Sequence, residues 1–185
     1  EMCIRDRVNT ILVSSAFFLF FVTLREFFIK KLKNLSQNVA HFGFSLLILS
    51  ILLNNIFSTE VITNLKIGET FKSDKFSINF ANIVQENGKN FKSIIGKFKV
   101  EHEDGSIDAL RPELRIYNQP NIVTSEADIK TNFFTDKFIT MNYVQNQEYF
   151  NIRYQVKPLM IWIWISVLLL SFGGLMSIFK KRYEI

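Results

Sequence analysis

One cysteine, two histidines, three prolines and seven glycines are spread over 185 residues, and each shortage closes off a class of chemistry. Cys3 has no second cysteine to pair with, so the chain holds neither an internal disulfide nor a dithiol redox motif. The glycines never gather into a phosphate-binding loop. One imidazole, His102, with flexible carboxylates around it makes a poor closed zinc site. A glycosidase's paired carboxylates cannot be told from surface acids in a sequence, and nothing here favours them.

Charge is also missing, but only in three places: Val8 to Leu24, Val39 to Phe57 and Leu159 to Phe179, runs of 17, 19 and 21 residues. At about 1.5 Å per residue each is long enough to cross a bilayer. Stretches such as Phe17-Phe18-Leu19-Phe20-Phe21 and Ile161-Trp162-Ile163-Trp164-Ile165 leave no polar face for water, which a surface helix of a soluble protein would need. The reading is therefore three transmembrane helices at 8–24, 39–57 and 159–179.

The net charge of +5 sits beside these runs. The connection 25–38 carries Arg25, Lys30, Lys31 and Lys33 against Glu26, and the tail 180–185 carries Lys180, Lys181 and Arg182 against Glu184. The segment 58–158 balances thirteen Lys and Arg with thirteen Asp and Glu, and charges in the first seven residues cancel. Basic short connections stay in the cytoplasm, which puts 58–158 across the membrane. In a Gram-negative bacterium that means a multi-pass inner-membrane protein with a periplasmic central domain. A pI near 9.3 confined to membrane flanks argues for topology and against a nucleic-acid partner.

Residues 1–7 open with Glu1-Met2-Cys3-Ile4-Arg5-Asp6, which looks like the translated end of a sequencing adapter. Read as a scar, this implies a gene cut at that point and a chain that is the C-terminal piece of something longer.

The segment 58–158 reads as one β-rich domain, giving an α+β membrane protein with the strands between its second and third helices. Phe76, Ile78 and Phe80 alternate with polar neighbours, as do Phe150, Ile152, Tyr154 and Val156. Asn87-Gly88 and Asp104-Gly105 offer residues that tolerate positive φ and bracket a strand from Phe91 to Glu101. One helical turn is expected near Ser125-Glu126-Ala127-Asp128-Ile129. About a hundred residues can close a small sandwich or open barrel.

Within that domain His102 lies beside a turn among Glu101, Glu103 and Asp104, where a solvated hairpin histidine is favoured over a metal ligand. Ser166, Gly173 and Ser177 share one face of the last helix, which suits close approach of a neighbour. Trp162 and Trp164 follow Lys157-Pro158 at the depth of an aromatic belt, a role favoured over contact with haem or substrate.

His41 is the best clue to function. An ionisable group in an apolar span is rarely kept without a role. Gln37, Asn38, His41 and Ser45 recur at spacings of three and four, a polar stripe expected to face other helices or a cavity. Roughly 24 Å of helix separates His41 from the outer surface, so His102 cannot join it in one site. Two readings remain from the residues alone: an imidazole hydrogen-bonded across the bundle, or an axial ligand to a metal or haem iron whose trans partner lies outside the chain.

A family resemblance bears on that choice. Ala40-His41-Phe42-Gly43 at the head of a transmembrane helix, a β-rich domain, then Arg153 to Trp164 (Arg-Tyr-Gln-Val-Lys-Pro-Leu-Met-Ile-Trp-Ile-Trp) and Gly173-Gly174 resemble the C-terminal part of CcmF, the membrane haem lyase family of bacterial cytochrome c maturation. Pro112-Glu113-Leu114-Arg115-Ile116-Tyr117 and Ser125 to Ile129 are similar to two further segments of that family, although Leu114 and Ile161 replace residues that are usually basic.

The resemblance implies that His41 is one of two transmembrane histidines holding a b-type haem, the second lying upstream of this chain. It implies partners as well: the membrane, a periplasmic haem chaperone, apocytochrome c and other maturation subunits. Haem is attached there to a Cys-x-x-Cys-His motif while the transmembrane haem keeps it reduced. No catalytic residue is assigned in this chain, because the family's tryptophan-rich haem-handling segment and its flanking external histidines are absent. Arg111 and Arg115 are candidates for haem propionates, with salt bridges to Glu113 or nearby acids an equal alternative. Two other readings stay open: a ResB-type assembly protein, and a non-catalytic membrane-anchored β-domain scaffold.

Overall fold

The structure is a computed structural model that describes residues 2–29, 35–144 and 148–183. The loop cations Lys30, Lys31 and Lys33 and the tail residue Glu184 lie outside the described residues, as do the side chains of residues 2–8 and 180–183.

Helices α1 (Met2–Ile29) and α2 (Leu35–Phe57) are followed by ten strands: β1 (Thr59–Leu65), β2 (Thr70–Lys72), β3 (Phe76–Asn87), β4 (Phe91–His102), β5 (Ile107–Leu110), β6 (Glu113–Tyr117), β7 (Val123–Glu126), β8 (Asp128–Thr131), β9 (Thr135–Tyr143) and β10 (Phe150–Pro158). Helix α3 (Met160–Tyr183) closes the chain. All three helices contain a stretch long and apolar enough to cross a membrane: Asn9–Ile29, Leu35–Phe57 and Met160–Phe179. They run further than the uncharged stretches, since Arg25, Glu26 and the polar start of α2 are helical where a connection from 25 to 38 was expected. A helix need not stop where hydrocarbon stops, so charged residues can prolong it past the apolar span.

The chain forms two compact units: the helices together with residues 133–135 and 157–158, and the β-domain. In the helical unit, α2 and α3 meet at backbone distance. A Cβ on Gly43 would sit 2.8 Å from the Leu170 amide nitrogen, and one on Gly173 would sit 2.6 Å from that of Ala40. Small residues allow this approach, the main source of helix association where lipid is as apolar as the side chains. Ser166 is buried, as its place on that face predicts, whereas Ser177 is exposed. The contact between α1 and α2 is polar at its centre, with the Thr23 and Ser45 hydroxyls 2.6 Å apart.

The β-domain is two antiparallel sheets, ordered β1-β10-β9-β8 and β2-β3-β4-β6-β7, with β5 also paired to β4. Strand β4 pairs with β6 along Phe91–Ile95 and with β5 along Phe98–Glu101. Pro112, which cannot donate to the ladder, stands at the break between those partners. The core draws on both sheets: Phe76, Ile78 and Phe80 from β3, Phe98 and Val100 from β4, and Ile139, Met141, Ile152 and Tyr154 from β9 and β10. The alternation expected of Phe76-Ile78-Phe80 and Ile152-Tyr154 is thus the buried face.

Two local expectations are corrected. Residues 125–129 form no helical turn: they end β7 and begin β8, with Ala127 at the step between sheets. There the backbone bonds of Glu113–Ile116 to β7 outweigh a short helical preference. Gly105 does take positive φ (+77°), but Gly88 does not; a Cβ there would lie 2.8 Å from the Phe91 ring, so space is what that glycine provides.

The passage from β10 into α3 takes one residue, Leu159, whose φ is +59°. A bulky side chain in the left-handed region costs roughly 1–2 kcal/mol and persists only where neighbours hold it.

Substituting Gly173 with alanine should loosen the α2–α3 contact by about 1–3 kcal/mol, while Gly174→Ala, which meets nothing within 4 Å, should be neutral. Thermal unfolding of the two variants in one detergent checks this, and equal melting would remove the close packing.

Candidate functional site

The motif Ala40-His41-Phe42-Gly43 assigns each of its residues to a different side of α2. Ala40 and Gly43 lie against α3, at Gly173 and at Ser166–Leu170. Phe42 lies between two rings of α1, 5.6 Å from Phe20 and 5.8 Å from Phe27. At 100° per residue only one side of α2 remains, and His41 stands there, exposed, with Gln37 and Phe44. Among the described residues the imidazole has no hydrogen-bond or ionic partner.

The polar stripe is therefore not a single surface. Asn38 and Ser45 are buried, while Gln37 and His41 are exposed. Asn38 and Ser45 lie some 40–60° around the helix from His41, on the side where Ser45 meets Thr23 of α1. Of the two readings, the hydrogen bond of His41 across the bundle is absent among the described residues.

Such a face suits a haem in two respects. It presents one unencumbered imidazole, and it carries an aromatic ring, Phe44, beside the polar Gln37. It also sets a limit: no group of three or more His, Cys, Asp or Glu capable of holding a metal is found among the described residues.

Trp162, expected at the membrane interface, donates its indole N–H to the Phe133 carbonyl at 3.2 Å, and Trp164 is exposed. Arg115 is paired through Nε with Glu113 Oε2 at 3.0 Å and lies over the Phe91 ring. The Arg111 side chain is exposed, while its backbone N–H donates to the Asp128 carboxylate.

His102 is not a solvated hairpin residue. Its Nε2 lies 2.8 Å from Oδ2 of Asp108, a carboxylate only 4% exposed. Lys137 Nζ donates to that oxygen at 2.8 Å, and Lys130 Nζ donates to Oδ1 at 2.6 Å. Burial by itself would raise the Asp108 pKa; the hydrogen bonds from Lys130, Lys137 and His102 outweigh it and hold the carboxyl well below the usual range. The cluster joins the sheets, with His102 and Asp108 from one and the two lysines from the other. Asp108 is not marked by any motif, but in Ile107-Asp108-Ala109-Leu110 it falls in phase with buried Leu110. A charge at an inward position was the available signal.

Comparison with known proteins adds the following. Residues 56–158 match a family model described as the CcmF C-terminal beta-sandwich. The cytochrome c-type biogenesis protein CcmF of Haemophilus influenzae is 29% identical over 169 residues, covering 88% of this chain and 26% of that protein. Ccl1 of Rhodobacter capsulatus, also a cytochrome c-type biogenesis protein, is 30% identical over 145 residues, covering 78% and 22%. A solved structure titled Cytochrome c Heme Lyase CcmF superposes with a TM-score of 0.69 at 18% identity, over 89% of this chain and 30% of the other. The chain spans about a quarter of the length of the curated relatives it matches.

The Asp108 cluster yields a stability prediction. A depressed carboxyl pKa stabilises the fold at every pH above the ordinary Asp value of about 3.9, and the contribution is lost as pH falls below it. Asp108→Ala leaves the mostly buried Lys137 ammonium and His102 ring without their acceptor, while exposed Lys130 returns to water, and should cost about 1–3 kcal/mol near pH 7. Hydrogen exchange of β4 and β9 amides at pH 7 and pH 3 measures both effects: the variant's deficit should shrink at the lower pH.

Proposed function

Because the chain belongs to the CcmF family, we propose that it serves a haem lyase of cytochrome c maturation, in which the His41 imidazole would hold the iron of a b-type haem within the membrane. Membership in this family also leaves the ResB-type reading without support. The observation that carries the proposal is the rotation of α2: Ala40 and Gly43 fit α3, Phe42 fits α1, and His41 is turned to the uncovered side. A merely structural histidine would be expected among the bundle contacts, as Asn38 and Ser45 are.

On this reading His41 enters as a neutral ligand, since iron takes the unprotonated nitrogen. When bound, the haem supplies one-electron transfer. The chain's own part is to hold the imidazole rigidly: α2 cannot rotate without driving Gly43 away from α3 or Phe42 away from Phe20 and Phe27.

The β-sandwich acts as a docking or bracing module on the periplasmic side of the inner membrane, where a haem chaperone and apocytochrome c meet the protein. Arg115, already paired with Glu113, serves the β-domain's own surface, and of the two arginine candidates only Arg111 remains suited to an anionic partner.

The experiment is optical. The protein is expressed from its complete reading frame, purified in detergent, and compared with its His41→Ala and His102→Ala variants by reduced-minus-oxidised spectra. The b-type band should fall to background in His41→Ala and persist in His102→Ala. An undiminished band in His41→Ala would leave the chain a membrane-anchored scaffold.

A further inference from the structure

The connection between β8 and β9 belongs to the helical unit, although the strands it joins are built mostly in the β-domain. Its tip carries Phe133 and Phe134, which are 53% and 64% exposed. Burying a phenylalanine side chain contributes about 1.5–3 kcal/mol, so two adjacent rings held in water forfeit a large stabilisation. No charged residue occurs from Thr131 to Thr135.

The tip is fixed to the head of α3 by three contacts. Trp162 Nε1 donates to the Phe133 carbonyl at 3.2 Å, the two rings meet edge to face at 4.9 Å, and the Leu159 N–H donates to the Phe134 carbonyl at 2.6 Å. The donor of the third contact is the residue with the left-handed backbone, so Leu159 is part of the clamp. The end of α2 is tied to the same point, where Asn54 Nδ2 donates to the Pro158 carbonyl. Exposed Phe57, Trp164, Phe133 and Phe134 therefore gather where one apolar span ends and the next begins.

Aromatic rings at that level are the composition of a membrane–water interface. We propose that the β8–β9 tip is an interfacial lipid anchor, inserting Phe133 and Phe134 among acyl chains and headgroups beside the first turn of α3. The occupant is the bilayer, because the rings are continuous with the apolar surface of two membrane-spanning segments and the tip carries no charge with which to select a protein partner.

Depth measurement by spin label tests this in the protein reconstituted into phosphatidylcholine–phosphatidylglycerol vesicles, with Cys3 replaced by serine. Labels are placed by Phe134→Cys, Phe57→Cys at the end of α2, and Ile107→Cys on exposed β5. The ratio of oxygen to nickel-chelate accessibility at 134 should match that at 57 and exceed that at 107 several-fold. Asn132→Cys, which keeps both phenylalanines, gives the same reading should Phe134→Cys fail to fold. A ratio at 134 or 132 equal to that at 107 places the tip in water and overturns the anchor; shielding from both reagents shows protein covering it and overturns it equally.

Discussion

Two backbone contacts between α2 and α3, Gly43 against Leu170 and Gly173 against Ala40, set the orientation of everything in the helical unit that bears on function. Lipid supplies no hydrophobic drive for helices to associate, so fit at such points decides how they pack. Once they are made, the neighbouring residues have no freedom. Residue 42 must point to α1, residue 45 must reach Thr23, and residue 41 must point away from both helices. The imidazole's position follows from the two glycines.

The β-domain uses a different means to fix its register. Its hydrophobic core is made from both sheets, yet apolar contact alone would tolerate sliding of one sheet on the other. Asp108 removes that tolerance, because a carboxylate this deeply buried is left uncompensated wherever the sheets slide it away from Lys130 and Lys137. The cluster adds little to net stability compared with an apolar substitute of the same volume. What it excludes is any arrangement that separates β5 from β8 and β9.

Much of this organisation was legible from the residues. Long uncharged runs and two-residue alternation each report one solvent boundary, and both survive in the structure as spans and as the buried faces of β3 and β10. Features that need two distant segments were not legible. The stripe from Gln37 to Ser45 was read as one surface, because spacing alone cannot say where α1 would lie; Thr23 divides it. His102 looked solvated beside its acidic neighbours, since the carboxylate that matters comes from β5 and the amines from β8 and β9. Leucine at 159 signals no left-handed turn at all, and only the Phe134 carbonyl and the start of α3 account for it.

Such a strained junction has a consequence for how the spans are defined. A glycine at 159 would relax the backbone at the head of α3. Leucine holds it, its carbonyl accepting from the Trp162 and Ile163 amides. The first turn of α3 then begins at a fixed residue and presents Trp162 to Phe133 and Ser166 to the α2 contact in a single rotation. Since α2 takes its own rotation from that contact, the orientation of His41 is tied through α3 to the backbone of one leucine some 118 residues away in the chain.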